Sequence, residues 1–132
     1  MGGGAKAVTN ARQLTKLVRE MAERLGLDAK EEYKLGRRIW GAGRRIDIVL
    51  RNPKDGKTIG IECKAQGKSG TVEEKIPTTI EDIKAWPIPG IVVFHGEGFT
   101  ANMKSYLIST GKAVEFSDLE PWLRLFFGLE LR

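Results

Sequence analysis

Two carboxylates and one lysine fall within two neighbouring segments of this chain that alternate apolar and polar residues. Asp47 lies in the first segment, and Glu62 and Lys64 lie two residues apart in the second. Because strand side chains alternate between two faces, Glu62, Lys64 and Gln66 should project from one side of a strand. A hairpin that turns at residues 52–56 would bring Asp47 close to Glu62. Two neighbouring carboxylates repel each other unless a cation lies between them, and Mg²⁺ prefers such oxygen ligands.

The chemistry that suits this arrangement is metal-assisted attack of water on a phosphodiester. The backbone carbonyl of Cys63 could supply a third oxygen ligand. Lys64 would lie beside the metal-bound water, where it could lower the pKa of that water or stabilise negative charge on a phosphate. The alternative is a salt bridge between Glu62 and Lys64 on a solvated strand face, because this spacing is common. The apolar residues around Asp47 and Glu62 favour a buried site instead.

Three predicted strands position these groups, at about residues 31–40, 44–51 and 57–65. In the second strand Ile46, Ile48 and Leu50 alternate with other residues, so Asp47 is expected to face away from Ile46 and Ile48. The residues between the second and third strands, Asn-Pro-Lys-Asp-Gly, are typical of a tight turn. The sequence therefore predicts an antiparallel meander.

A helix is predicted on each side of the meander in sequence. The first covers about residues 10–25. It begins at Asn10, which with Gln13 resembles a capping box, and it ends before Gly26. The second follows the third strand, at about 72–84.

Four further elements complete the predicted fold. The segment 91–94 is continuously apolar and predicts a buried strand, followed by a helix at 100–109 and a short strand at 113–116. A last helix is predicted to begin at Ser117 as its cap, with Glu120 at its third position. The order predicts a single α/β domain over 10–132, with a central mixed sheet flanked by helices, after a flexible tail at 1–9.

Asp47, a turn and then Glu62-Cys63-Lys64, set in a meander that follows a helix, resemble the PD-(D/E)xK nuclease superfamily. Segments 45–50 and 61–66 are similar to those of its resolvase-like and restriction-like members. The predicted α-β-β-β-α-β order over about residues 10–116 is that of the restriction-endonuclease-like fold. Ile46 stands where the motif of the family has proline.

The resemblance implies a divalent-metal-dependent endonuclease that hydrolyses DNA. In that family the aspartate and the glutamate bind Mg²⁺ or Mn²⁺, and the lysine assists the attacking water. These roles fall on Asp47, Glu62 and Lys64. Gln66 matches a glutamine that some members carry two residues after the lysine, and it is expected to orient the water or Lys64.

The resemblance also directs attention to acids and bases on the two helices. Many members place a glutamate of the first helix near the metal, and Glu20 and Glu23 are the candidates here, although both could simply face solvent. Members often complete the site from the helix that follows the active strand. Glu74 or Lys75 could do so, or could lie on an exposed helix start.

The charge of the chain is unevenly distributed. Lys and Arg number 22 and Asp and Glu 17, a net charge of +5. Residues 1–50 hold 11 basic and 6 acidic residues, which is the whole surplus. A localised basic field suits a polyanion, nucleic acid first, and the alternative is a set of solvated arginines on a hairpin. We expect the following arginines to contact DNA phosphates without reading sequence: Arg37, Arg38, Arg44, Arg45 and Arg51.

Composition excludes several other classes of protein. The single cysteine, Cys63, rules out an internal disulfide and a cysteine-cluster zinc site. No apolar run approaches the ~18 residues of a membrane span, and the first residues lack the apolar segment of a secretory signal. A cytoplasmic protein with no membrane partner is therefore expected.

The C-terminal segment is rich in large apolar residues: Trp122, Leu125, Phe126 and Phe127. Most of this stripe is expected to lie in the core, and any surplus would form the seam of a homodimer. Two functions compete with the nuclease: a catalytically inactive nucleic-acid-binding module of the same fold, and a structural subunit that assembles through this stripe. The intact set of two acids and a lysine favours the nuclease.

Overall fold

The computed structural model describes residues 10–37, 43–66, 72–96 and 98–130. The elements are α1 (Ala11–Arg24), β1 (Asp28–Arg37), β2 (Gly43–Arg51), β3 (Thr58–Ala65), α2 (Val72–Lys84), β4 (Gly90–His95), α3 (Ala101–Ser109), β5 (Ala113–Glu115), a 3₁₀ turn (Phe116–Asp118) and α4 (Leu119–Phe127). The predicted tail at 1–9 lies outside the described residues.

A five-stranded sheet in the order β1-β2-β3-β4-β5 forms the centre of the fold. The first three strands are antiparallel neighbours, whereas β4 runs parallel to β3 and β5 runs parallel to β4. The antiparallel β2–β3 pair follows from the short turn at 52–56, and the parallel pairs require the crossovers that α2 and α3 supply. The predicted α/β class, with a mixed sheet flanked by helices, is confirmed.

Apolar side chains cover both faces of the sheet. One face packs against α1 and α4, and its core includes Leu14, Val18, Ile48, Ile61 and Leu123. The other face packs against α2 and α3, and its core includes Ile76, Ile80, Val92, Phe94 and Leu107. The sheet is thus the middle of three layers.

Helix α1 begins and ends where the sequence predicts. The Asn10 side chain accepts a hydrogen bond from the Gln13 N–H at 2.8 Å, which satisfies one of the free donors of the first turn. Gly26 follows the helix with φ of +84°, a conformation that glycine adopts without steric cost. These two ends fix which residues of α1 lie over the sheet.

Two sequence predictions are wrong in detail. Strand β1 begins at Asp28, three residues before the predicted start. The last helix is not capped by Ser117, because a 3₁₀ turn over Phe116–Asp118 precedes it and Asp118, its cap residue, makes no capping hydrogen bond through its side chain. The predicted capping box of Ser117 and Glu120 is therefore absent.

The alternation of β2 also breaks at Ile46. Ile48 and Leu50 pack in the core beneath α1, as predicted. The Cδ1 atom of Ile46, however, lies 3.2 Å from the position that a Cβ on Gly60 would occupy, beside the ring of Trp86 at the end of α2. Ile46 thus reaches the opposite face of the sheet, and the change of face falls at Asp47.

Candidate active site

Asp47 and Glu62 occupy opposite positions on β2 and β3. The last paired residues on this side are Ile48 and Ile61, so the next register position joins Asp47 to Glu62. There the side chains replace the regular ladder. The Asp47 N–H donates to Glu62 Oε1 at 3.0 Å, and the Cys63 N–H donates to Asp47 Oδ2 at 2.8 Å. The predicted proximity of the two acids is present in the structure.

Burial beside a second acid changes the acidity of Glu62. Desolvation, and then the charge of Asp47, raise the pKa of Glu62 from its ordinary value of 4.5 to about 7, although the Asp47 N–H and Lys64 act in the opposite direction. Asp82 of α2 adds a smaller repulsion in the same direction as Asp47. A cation between the two carboxylates would remove this cost, so the pair is suited to hold one.

The donor set fits a hard divalent cation such as Mg²⁺. It consists of two carboxylates, with the backbone carbonyl of Cys63 as the predicted third oxygen, and Mg²⁺ commonly takes few protein ligands and keeps several waters. The described residues contain no cluster of three or more His, Cys, Asp or Glu side chains that could hold a metal. Burial raises the pKa of the Cys63 thiol to about 12, so this side chain stays protonated in the metal-free protein.

An open cleft of about 230 Å³ lies on the α1 side of Asp47. Its described lining is Ala11, Arg12, Thr15, Glu31, Glu32 and Asp47. Arg12 is the cation among these residues, and Thr15 donates its hydroxyl to the Ala11 carbonyl at 2.8 Å. Sequence analysis missed this lining. The sequence did contain one signal for this cleft. The first turn of α1 carries Arg12 and no acidic residue, whereas acidic side chains are usually favoured at the start of a helix.

The candidate glutamates of α1 lie away from this cleft. Glu20 and Glu23 follow Thr15 by five and eight residues, which is about 7.5 and 12 Å along the helix axis. Neither is among the residues described as lining the cleft. For Glu74 and Lys75 the structure describes the helical backbone of α2 and nothing of the side chains.

Lys64 on β3 and Gln66 just after the end of β3 have different surroundings. Lys64 is half-buried, pairs in register with Phe94 of β4, and lowers the pKa of Glu62 through its charge. The Gln66 side chain is buried and donates from Nε2 to the Gly98 carbonyl at 2.7 Å. This hydrogen bond ties Gln66 to the loop after β4, so its side-chain nitrogen is engaged by protein.

The predicted DNA-contacting arginines have distinct positions. Arg45 lies two residues before Asp47 and pairs with Glu32 at 2.9 Å, whereas Arg51, at the far end of β2, lies 3.9 Å from Asp28. All four side chains are more than half exposed, so both pairs are weak and a phosphate can compete for either arginine. The side chains of Arg37 and Arg44, and the whole of Arg38, lie outside the described part of the chain.

The C-terminal aromatic residues make most of their contacts within the molecule. Phe127 is buried in the core, and Trp122 stacks on Phe126 with ring centroids 5.3 Å apart. The Lys57 ammonium lies 4.4 Å from the centroid of the Phe126 ring. Leu125 remains 69% exposed.

Comparison with known proteins identifies the family of this chain. The model of a PD-(D/E)XK nuclease superfamily domain matches residues 6–120, and the chain belongs to that superfamily. The mixed sheet with flanking helices is accordingly the restriction-endonuclease-like fold that the sequence predicts. Curated proteins give no significant match.

A solved structure supports the fold. The chain is similar to the crystal structure of a protein of unknown function, AF1548, with a TM-score of 0.54 and 19% identity. The match covers 82% of this chain and 59% of the other, so this chain spans well under two thirds of that protein. In the described part of the chain, no helix has the length and apolar character needed to cross a membrane.

Proposed function

We propose that this protein is a divalent-metal-dependent endonuclease that hydrolyses DNA phosphodiester bonds. The observation that carries the proposal is the Asp47–Glu62 pair. Its carboxylates are fixed by hydrogen bonds between β2 and β3, and burial, followed by repulsion from Asp47, raises the pKa of Glu62. Membership of a superfamily named for nucleases supports the reaction class.

Asp47, Glu62 and the Cys63 carbonyl would hold Mg²⁺ or Mn²⁺. When bound, the ion supplies Lewis-acid stabilisation of the phosphate and makes water more acidic. The Cys63 N–H holds one oxygen of Asp47 in place, and the Asp47 N–H does the same for Glu62. Both acids are thus ordered before any ligand arrives, which lowers the entropic cost of binding.

Lys64 is the proposed positive group beside the reacting phosphate. The charge of Lys64 lowers the pKa of Glu62, which supports this role. From this position it stabilises negative charge developing on the phosphate or on the attacking water. Gln66, which follows the end of β3, is proposed to act by holding the loop through Gly98.

Arg12 and Arg45 are the proposed phosphate contacts nearest the acids. Arg12 lines the cleft with Asp47, and no carboxylate of the described residues forms an ion pair with it. Arg45 is held by an exposed pair with Glu32, which a phosphate can replace. Arg51 lies four residues from Asp47, about 13 Å along the strand, and would contact a more distant phosphate.

The test is cleavage of supercoiled, linear and branched DNA with Mg²⁺, Mn²⁺ or EDTA. We expect cleavage with either metal and none with EDTA. Lys64→Ala should slow single-turnover cleavage by about 10²-fold or more, while Lys54→Ala, a change at an exposed lysine of the 52–56 turn, leaves the rate unchanged. Equal rates for these two variants would refute the role of Lys64.

Other results separate the competing functions. DNA binding with no cleavage under any metal would favour the catalytically inactive nucleic-acid-binding module.

A homodimer through α4 is a further proposal, and Leu125→Glu should then halve the molar mass measured by light scattering. A location in the cytoplasm likewise stays a prediction.

A further inference from the structure

Glu32 has an unusual backbone conformation for a residue within a strand. Its φ is +51°, and among the described residues it is the one non-glycine with positive φ. A side chain disfavours this left-handed region because its Cβ approaches the backbone too closely. Strained residues of this kind persist where the surrounding structure holds them, often beside functional sites.

Glu32 is the register partner of Asp47. Glu31 pairs with Ile48 and Tyr33 pairs with Ile46, so Glu32 and Asp47 face each other, yet these two residues form no pair of the ladder. Both line the same cleft. The β1–β2 ladder is therefore interrupted at the position where the strained Glu32 faces the acidic Asp47.

The strained residue also changes the face of β1. The Lys30 ammonium lies 5.7 Å from the centroid of the Tyr33 ring, although residues three apart in a regular strand point to opposite faces. On the partner strand, Ile46 and Ile48 likewise point to different faces. Both strands thus change phase at the Glu32–Asp47 position.

The change of phase at the Glu32–Asp47 position alters the direction of the Asp47 N–H. N–H groups along a strand alternate between its two neighbours. The Asn52 N–H donates toward the β3 side, to the Lys57 carbonyl at 2.8 Å. By alternation the N–H of Asp47, five residues earlier, would face β1 and meet Glu32. It donates to Glu62 Oε1 instead.

We propose that the left-handed backbone of Glu32 positions the acidic pair, by turning the Asp47 N–H away from β1 and toward Glu62. Glu32 acts through Asp47 and need not contact metal or substrate. The Glu32–Arg45 ion pair cannot account for the strain, because side chains 75% and 62% exposed interact weakly. The inference rests on the proposed function in so far as the acidic pair binds metal. The positioning effect itself rests on the backbone geometry alone.

The experiment compares four variants of the full chain without metal. Glu32→Gly keeps the left-handed backbone and removes its steric cost. Glu32→Ala keeps that cost and removes the ion pair with Arg45. Glu32→Ile disfavours the left-handed backbone most strongly, and Lys30→Ile makes the same change at an exposed, regularly paired position of β1.

The first readout is hydrogen exchange of the Cys63 amide, which donates to Asp47 Oδ2. We expect Glu32→Ile to accelerate this exchange at least tenfold relative to the Ile61 amide, with less than twofold change in Lys30→Ile and Glu32→Gly. We also expect Glu32→Gly to raise the folding equilibrium constant about fivefold over Glu32→Ala. If Glu32→Ile does not fold, Glu32→Thr gives the same comparison with a smaller branched side chain.

The second readout is Mn²⁺ affinity, measured by electron paramagnetic resonance. Glu32→Ile should weaken binding about tenfold, and the other three variants should change it by less than threefold. Unchanged Cys63 exchange in Glu32→Ile, or equal acceleration in Glu32→Gly, would overturn the positioning role. If the wild type binds no Mn²⁺, the proposed function fails, while the Cys63 amide still decides the inference about Glu32.

Discussion

The Asp47 carboxylate accepts a hydrogen bond from the Cys63 N–H at 2.8 Å, at a point where β2 and β3 no longer pair regularly. Asp47→Asn keeps an oxygen for this donor, whereas Asp47→Ala leaves the partly buried N–H without it. Both variants lack the charge that repels Glu62. We therefore expect Asp47→Ala to be less stable than Asp47→Asn by about 1–2 kcal/mol, measured by urea unfolding at pH 8 with EDTA.

Activity should not follow stability in these two variants. Both lack one carboxylate of the proposed metal site, so both should lose metal-stimulated cleavage. An Asp47→Asn protein that cuts DNA as fast as the wild type would remove Asp47 from the catalytic set. Equal stability of the two variants would show that the Cys63 hydrogen bond contributes little.

The pH dependence of stability follows from Glu62. Its pKa is raised from 4.5 to about 7 in the folded protein, so the fold favours the protonated form. At Glu62 the native state then binds more protons than the unfolded state between these values, so the contribution of Glu62 to the free energy of unfolding falls as pH rises from 4.5 to 7. Above pH 7 this contribution is constant, at roughly 3 kcal/mol below its acidic value.

Glu62→Gln isolates this contribution. The amide oxygen can still accept from the Asp47 N–H, but the side chain no longer titrates. We expect the variant to match the wild type near pH 4.5 and to exceed its unfolding free energy at pH 8 by up to about 3 kcal/mol, in EDTA. Parallel stability curves from pH 4.5 to 8 would contradict the raised pKa.

Gly96 supports the loop that holds Gln66. Its φ is +135°, and a Cβ there would lie 1.9 Å from the Gln66 carbonyl oxygen. Gly96→Ala should therefore destabilise the fold by about 3 kcal/mol or more, because backbone must move. Gly111→Ala is the matched control: φ is +69° but the space is open, so about 1 kcal/mol is expected. Thermal unfolding of the two variants tests this difference, which similar melting temperatures would contradict.

Arg12 should contribute to DNA affinity through phosphate. Removing one phosphate contact lowers the slope of log affinity against log salt by about 1, whatever the DNA sequence. Arg12→Ala should show this change, measured with Ca²⁺ in place of Mg²⁺ to limit cleavage. Arg24→Ala removes an exposed arginine about 18 Å further along α1 and should leave the slope unchanged. Equal slopes in both variants would place DNA elsewhere.

The sequence was sufficient for most of the fold and for the pairing of the two acids. Alternating apolar residues and the 52–56 turn set the register that places Asp47 opposite Glu62, and both are local features. The cleft lining was not predictable in the same way, because Arg12 and Asp47 meet only when α1 packs on the sheet. The left-handed Glu32 lacks any local signal, since glutamate is an ordinary strand-surface residue and tertiary structure imposes its conformation.

Cys63 provides a natural reporter for this architecture. It is the single cysteine of the chain, 1% exposed, and burial raises its thiol pKa to about 12. An alkylating reagent can therefore modify the folded chain only during an opening of β3 away from α1. The labelling rate of the unmodified sequence thus measures how often the strand that carries Glu62 and Lys64 comes apart, with no engineered probe.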